Sequence, residues 1–242
     1  MRCTVLGCGD AFGTGGRHTT SFHLVSGERT LLLDCGASTL VAMGQQGPRT
    51  RDVDGLVLTH LHGDHFGGLP FLLLHEAFET GRTRPLPIAA PPGFAERLPR
   101  AVEALFGQCP DWPFDIPIHE LTPGAATEIA GFTVTPTPVD HGSHPTYAVR
   151  VNDGERVLAY GADTAWTEAL LEVAANADVF IAECFAWESA PPGHTDWQTL
   201  RSRLPELTAG RVVLTHMSSG MLARLNRVTE AMPAYDGMVL EL

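Results

Sequence analysis

The sequence contains no lysine; all 16 of its basic residues are arginines. A Walker A phosphate loop, a Schiff-base mechanism and a lysine general base are therefore excluded, because each needs an ε-amino group. No Gly-x-Ser-x-Gly segment is present, which argues against a serine hydrolase of that type. The five cysteines (Cys3, Cys8, Cys35, Cys109, Cys184) are scattered, odd in number and without Cys-x-x-Cys spacing. They read as reduced residues of a cytoplasmic protein, with no metal role. No apolar run approaches the roughly 18 residues that a membrane span needs. The opening Met1-Arg2-Cys3-Thr4-Val5-Leu6-Gly7 reads as a strand that begins at once, without a signal-peptide layout. Positive charge is scarce overall, and the net charge of −12 disfavours a polyanionic partner. Gly7-Cys8-Gly9-Asp10-Ala11-Phe12-Gly13 looks superficially like a dinucleotide fingerprint, but its third glycine is one residue late and no helix pattern follows.

What is present is concentrated chemistry. Leu58-Thr59-His60-Leu61-His62-Gly63-Asp64-His65 places three histidines and an aspartate within six residues, directly after an apolar run. If that run is a strand, His60 and His62 leave its end on one side, because strand side chains alternate with period two. Asp64 and His65 follow on the turn, within reach of a second ion. Neutral imidazole and carboxylate suit zinc first, with manganese or iron as alternatives. Three later residues, His141, Asp163 and His216, each follow an apolar or β-branched run and so stand where strands can deliver them to a common rim. Strand-like runs fall near residues 3–7, 21–25, 30–34, 55–59, 86–90, 116–119, 132–137, 146–151, 156–160, 178–182, 211–214 and 237–241. Helical patterns fall at 70–79, 94–106, 167–176 and 196–204. Strands with helices interspersed predict an α+β protein whose sheets are covered by helices. No linker or low-complexity stretch interrupts it, so residues 1–242 are expected to form one domain. The Pro-rich segments 84–92 and 110–117 read as surface connections, the second bordering the site.

The segment from His60 to His65 resembles the H-x-H-x-D-H motif of the metallo-β-lactamase superfamily, and the order of the later candidates agrees with it. The resemblance implies an αββα four-layer sandwich with two divalent ions at the sheet edge. By it, His60, His62 and His141 hold one ion, Asp64, His65 and His216 hold the other, and Asp163 bridges them. Asp34, at the end of Leu31-Leu32-Leu33, matches an aspartate that supports a ligand histidine in this superfamily.

Further residues resemble the ribonuclease Z-like, small-substrate phosphodiesterase branch. Glu183 ends an apolar strand, and Pro192-Gly193-His194-Thr195-Asp196 follows it. By resemblance His194 is a non-ligand residue that protonates or stabilises the leaving oxygen, Glu183 orients it, and Asp64 orients the attacking water that bridges the metals. The Gly/Ser/Thr-rich stretch 13–21 resembles that branch's first loop, where Arg17 and His18 would meet an anionic substrate. The tRNA-processing members carry a long arm between the third ligand histidine and the bridging aspartate. Here 21 residues separate His141 from Asp163, and a hairpin with an Asp153-Gly154 turn uses nearly all of them. The expectation is therefore a small phosphodiester, such as a cyclic nucleotide or cyclic ribose phosphate, with tRNA disfavoured and no membrane partner. Family habit leaves a homodimer open. Rival readings are a hydrolase of carbonyl substrates (thioester, lactone or β-lactam) and a non-catalytic metal-binding accessory protein.

Overall fold

The computed structural model describes residues 1–242. Alternation along the strands sorts side chains into layers. Leu31 and Leu33 point to one side of their strand and Leu32 to the other, and the two sets enter different cores. The first sheet contains β1 (Arg2–Gly7), β2 (Ser21–Ser26), β3 (Arg29–Leu33), β4 (Gly55–Val57), β5 (Ile88–Ala90) and β6 (Ile118–Glu120). The second contains β7 (Thr127–Ile129), β8 (Phe132–Pro138), β9 (Tyr147–Asn152), β10 (Val157–Tyr160), β11 (Val179–Glu183), β12 (Val212–Thr215) and β13 (Met232–Pro233). The last strand, β14 (Val239–Glu241), returns to pair antiparallel with β1. The strand orders are β14-β1-β2-β3-β4-β5-β6 and β13-β12-β11-β10-β9-β8-β7. In each sheet the β-hairpin side is antiparallel, and the strands joined through helices (β3 to β6, β10 to β13) run parallel.

Three apolar cores give the sandwich. Between the sheets, Val5, Phe22, Leu24, Leu31 and Leu33 meet Val134, Val149, Leu158, Tyr160 and Ile181. Outside the first sheet, Leu32, Leu56 and Ile88 are covered by α1 (Thr39–Gln46), α2 (Gly63–Phe66), α3 (Leu69–Phe78) and α4 (Phe94–Phe106). Outside the second, Ala159, Phe180 and Leu214 are covered by α5 (Ala169–Ala174), α6 (Trp197–Arg203) and α7 (Ser219–Leu222). The layers are helix, sheet, sheet, helix, the αββα arrangement expected. No helix is long and apolar enough to cross a membrane.

The differences from the sequence reading lie in short elements. The strand expected through residue 59 ends at Val57, and the one expected at 116–119 lies at 118–120. β7, β13, α1, α2 and α7 have no counterpart in the sequence reading. β13 has two residues and α2 four, too short for a period to show. The segment 110–117 does border the first sheet, where the carbonyls of Asp115 and Pro117 accept hydrogen bonds from Leu86 and Ile88. It does not line the cleft described below.

Candidate active site

The carboxyl ends of β3, β4, β8, β10, β11 and β12 all reach one rim, and the chemistry-bearing residues sit just beyond them. His60 follows β4, His141 follows β8, Asp163 follows β10, Glu183 ends β11 and His216 follows β12. Three rim residues, Asp34, Ala162 and His216, have φ of 57° in the left-handed region. Such a conformation costs a side-chain-bearing residue on the order of 1–3 kcal/mol, and it persists here where strands turn sharply into the site. Loop 34–36 clasps α2 closely: Cys35 N–H donates to His65 O (2.7 Å) and Gly68 N–H to Cys35 O (2.9 Å). A Cβ on Gly36 would lie 1.8 Å from Asp64 O, and one on Gly68 would lie 2.0 Å from Gly36 O, so only glycine permits this approach.

Two clusters of the expected residues result, and a third group of potential ligands, Asp163, Glu183, His194 and His216, overlaps the second. The ligating atoms of His60, His62 and His141 lie within 4.8 Å of one another, as do those of Asp64, His65, Asp163 and His216. Asp163 Oδ2 stands between them, 3.3 Å from His65 Nε2, 3.2 Å from His216 Nε2 and 3.9 Å from His141 Nε2. Asp64 Oδ2 is 3.3 Å from His65 Nε2 and 3.9 Å from His216 Nε2.

Outer partners set the tautomers. Asp34 Oδ2 accepts from His65 Nδ1 (2.7 Å) and Gly193 O accepts from His141 Nδ1 (2.7 Å). Thr59 Oγ1 donates to Asp34, so it accepts from His60 Nδ1 at 3.1 Å. Thr20 Oγ1 donates to Gly9 O and faces His216 Nδ1 at 3.4 Å. In each ring the Nε2 lone pair is thereby aimed into the cluster. His62 presents Nδ1, 3.0 Å from His141 Nε2. His60 Nε2, His65 Nε2 and Asp163 Oδ1 are buried and have no hydrogen-bond partner. Converging imidazole lone pairs and carboxylate oxygens left unpaired in a largely buried rim are the donor set that divalent ions require, so the residues fit a metal pair.

Electrostatics follow from burial and charge. Burial, with His65 beside it, holds His60 well below the usual histidine range. Burial pulls His65 the same way, but Asp163 and Asp34 carry it well above that range. Burial alone would raise Asp163, yet His216 and His65 hold it well below the ordinary carboxylate range.

Next to the clusters, His194 Nδ1 makes a short hydrogen bond to Glu183 Oε1. The other oxygen of Glu183 accepts from Thr164 N–H (2.9 Å) and Thr195 N–H (3.2 Å). Burial and the charge of Asp163 push Glu183 up to about 8. Burial lowers His194, but Glu183 more than compensates and raises it. The turn carrying His194 also supplies the carbonyl of Gly193 that orients His141, so one loop positions a residue of the first cluster and the neighbouring His194–Glu183 pair. Asp196 caps α6, accepting from Thr199 N–H at 2.9 Å. The cleft is about 280 Å³, lined by Phe12, His62, Asp64, Phe185 and His194 among others. The larger hollows on the surface contain no comparable cluster.

Arg17 and His18 require correction. Arg17 turns its guanidinium to Ala234 O (2.7 Å) and Cys8 Sγ (2.9 Å), and His18 Nε2 pairs with Gln45 Oε1 (2.9 Å); neither lines the cleft. A Gly-rich loop has no fixed side-chain direction in the sequence, and here it delivers Ala11 and Phe12 instead. His144 is exposed, with its ring 5.8 Å from that of His62, and belongs to neither cluster. The orienting partners Gly193 O, Thr59 and Thr20 were not foreseen. A backbone carbonyl has no residue signature, and only the position of Thr59 inside the motif hinted at a role.

A four-layer sandwich with paired His/Asp clusters on its strand-end rim defines the metal-dependent hydrolase class. The family model described as Beta-lactamase superfamily domain matches residues 29–217, a span that includes every residue of both clusters. The chain belongs to this β-lactamase superfamily of metallo-hydrolases. It is 35% identical over 156 residues to the Ribonuclease Z of Clostridium acetobutylicum, covering 61% of this chain but only 49% of that protein. It is 27% identical over 223 residues to the Bacillus subtilis probable metallo-hydrolase YhfI, covering 90% of this chain and 87% of that one. The YhfI crystal structure, described as a metallo-beta-lactamase fold protein, superposes with a TM-score of 0.81 at 24% identity over 99% of each chain. The short form of human tRNase Z superposes with a TM-score of 0.82 at 24% identity, over 100% of this chain and 99% of that one.

Proposed function

We propose that residues 1–242 act as one catalytic domain, a metal-dependent phosphodiesterase acting on a small phosphodiester of the cyclic nucleotide or cyclic ribose phosphate class. The observation that carries this reading is the His194–Glu183 pair at the cleft beside the two clusters. A poor alkoxide leaving group needs a proton donor, whereas a carbonyl substrate asks less of one. His60, His62 and His141 would hold one ion, Asp64, His65 and His216 the other, with Asp163 shared. Bound there, a divalent pair supplies Lewis acidity and activation of the attacking water.

The chain's own residues do the rest. Asp64, the most accessible carboxylate of the clusters, accepts a hydrogen bond from the water and orients it. His194 holds a proton that Glu183 keeps in place, and delivers it from Nε2 to the leaving oxygen. Asp34, Thr59, Thr20 and Gly193 O keep the ligand rings aimed. Zinc is the ion proposed, given an imidazole and carboxylate set. The span between His141 and Asp163 is taken up by the β9–β10 hairpin, and the net charge is −12. Both support a small substrate over tRNA. Five unpaired cysteines, four of them buried, support a reducing, cytoplasmic setting.

The test is elemental analysis followed by assays with bis-p-nitrophenyl phosphate, a panel of cyclic phosphodiesters, thioesters and lactones, and precursor tRNA. About two metals per chain with turnover of cyclic diesters is the expected result. Turnover confined to thioesters or lactones, or efficient tRNA cleavage, overturns it.

A further inference from the structure

Phe12 is the most exposed large apolar side chain of the molecule, 86% accessible, and it stands at the wall of the catalytic cleft. Most exposed apolar residues of a folded protein need no explanation, but one fixed beside a polar reaction centre does. It is fixed by Asp10, which is almost fully buried. Asp10 Oδ1 accepts from Phe12 N–H (3.1 Å) and Thr14 N–H (3.0 Å), and Oδ2 accepts from Thr14 Oγ1 (2.6 Å). The loop is further held where Gly9 N–H donates to His18 O (2.7 Å), and it packs on α7, since a Cβ on Gly15 would lie 2.8 Å from Leu222 Cδ1. A buried carboxylate thus organises a turn whose outermost product is an aromatic ring in water. Phe185 also lines the cleft, packed by its ring against His194 at 4.8 Å.

Resting on the phosphodiesterase reading, we infer that Phe12 is a specificity residue that stacks on a planar ring of the substrate, so that the diester cleaved is a nucleotide and not a bare sugar phosphate. A phosphate placed at the clusters has its organic substituents directed along the cleft wall, where Phe12 and Phe185 offer apolar faces and no carboxylate other than the cluster residues is present. Phenylalanine offers no hydrogen bond, so it selects for a flat π-face and against a hydroxylated sugar alone, without distinguishing one base from another.

The experiment measures binding of a nucleoside 5′-monophosphate and of ribose 5-phosphate to the metal-loaded protein by calorimetry, for wild type, Phe12→Ala and Phe12→Trp. Metal content and melting temperature are checked in parallel. Stacking on one aromatic ring predicts that Phe12→Ala weakens the nucleotide by about 5- to 150-fold and leaves ribose 5-phosphate unchanged. Phe12→Trp should retain or tighten nucleotide binding. Equal loss for both ligands, no loss for either, or a wild type that does not distinguish them overturns the assignment. Nucleotide binding that depends on Phe12 without diester turnover would instead overturn the phosphodiesterase reading and leave the stacking role standing. Diester turnover indifferent to Phe12 would do the reverse.

Discussion

At the scale of single residues, roles at the site separate by which atom each side chain offers. Asp163 is the carboxylate whose oxygen faces both clusters, so Asp163→Ala should lower bound metal from about two ions to one or fewer, read by elemental analysis. An unchanged metal-to-protein ratio would sink the shared-ligand assignment. His194 donates Nδ1–H to Glu183 and so has only Nε2 left for substrate. His194→Ala should keep the metals but lose about 10²- to 10⁴-fold on diesters with alkyl leaving groups, and far less on p-nitrophenyl diesters, whose leaving group hardly needs a proton. Equal losses on both would show that His194 positions the phosphate electrostatically and does not transfer a proton.

At the scale of elements, the rim works because loops from different strands cross-orient one another. The segment 140–144 contains two histidines, but only His141 has its ring fixed, by the carbonyl of Gly193 from the turn after β11. His141→Ala should therefore lose metal, whereas His144→Ala should keep both ions; the reverse pattern in the same elemental analysis would mean that β8 delivers the wrong histidine in this structure. Strand β2 presents a different tension on the outer face of the first sheet. His23 is buried there, its Nε2 has no partner, and burial with Arg2 nearby pushes its pKa down to about 4, against the smaller opposite pull of Asp52 and Asp54. A depressed histidine pKa favours the fold when the ring is neutral. That stability is complete above the unfolded value of about 6.5 and is lost as pH falls toward 4, by up to about 3 kcal/mol. Melting temperatures of wild type and His23→Gln should diverge in slope between those pH values. Parallel curves would show that His23 is not the group responsible.

At the scale of the whole molecule, the two His/Asp clusters lie on the seam between the two sheets. Their residues come from both, and cross-links such as Tyr147 N–H to Thr59 O (3.0 Å) and His216 N–H to Cys8 O (3.0 Å) tie the sheets at that edge. Chelation should consequently destabilise the entire sandwich and not merely silence the cleft, lowering the melting temperature and raising it again on adding zinc. A melting curve indifferent to chelator would mean that the clusters are satisfied by protons alone.

What the residues determined by themselves was local or strictly ordered. The candidate ligands from His60 to His65 fall within six residues, the later candidates each follow a strand, and the alternation of Leu31, Leu32 and Leu33 between two cores needs only a period of two. The Asp153-Gly154 turn fixes its hairpin for the same reason, since turn geometry is set by the residues within it. The tertiary structure alone decided what depends on partners distant in the chain. The conformation of the 10–18 loop places Arg17 against Ala234 and Phe12 at the cleft. Strand β13 exists only because β12 is there to pair with it. The proton positions on the cluster histidines are set by a hydroxyl 196 residues away for His216 and a carbonyl 52 residues away for His141. Composition and spacing specify which groups a chain possesses and the faces they take on their own strand. The direction in which a lone pair finally points depends on hydroxyl, carboxylate and carbonyl groups that only folding brings into hydrogen-bonding range.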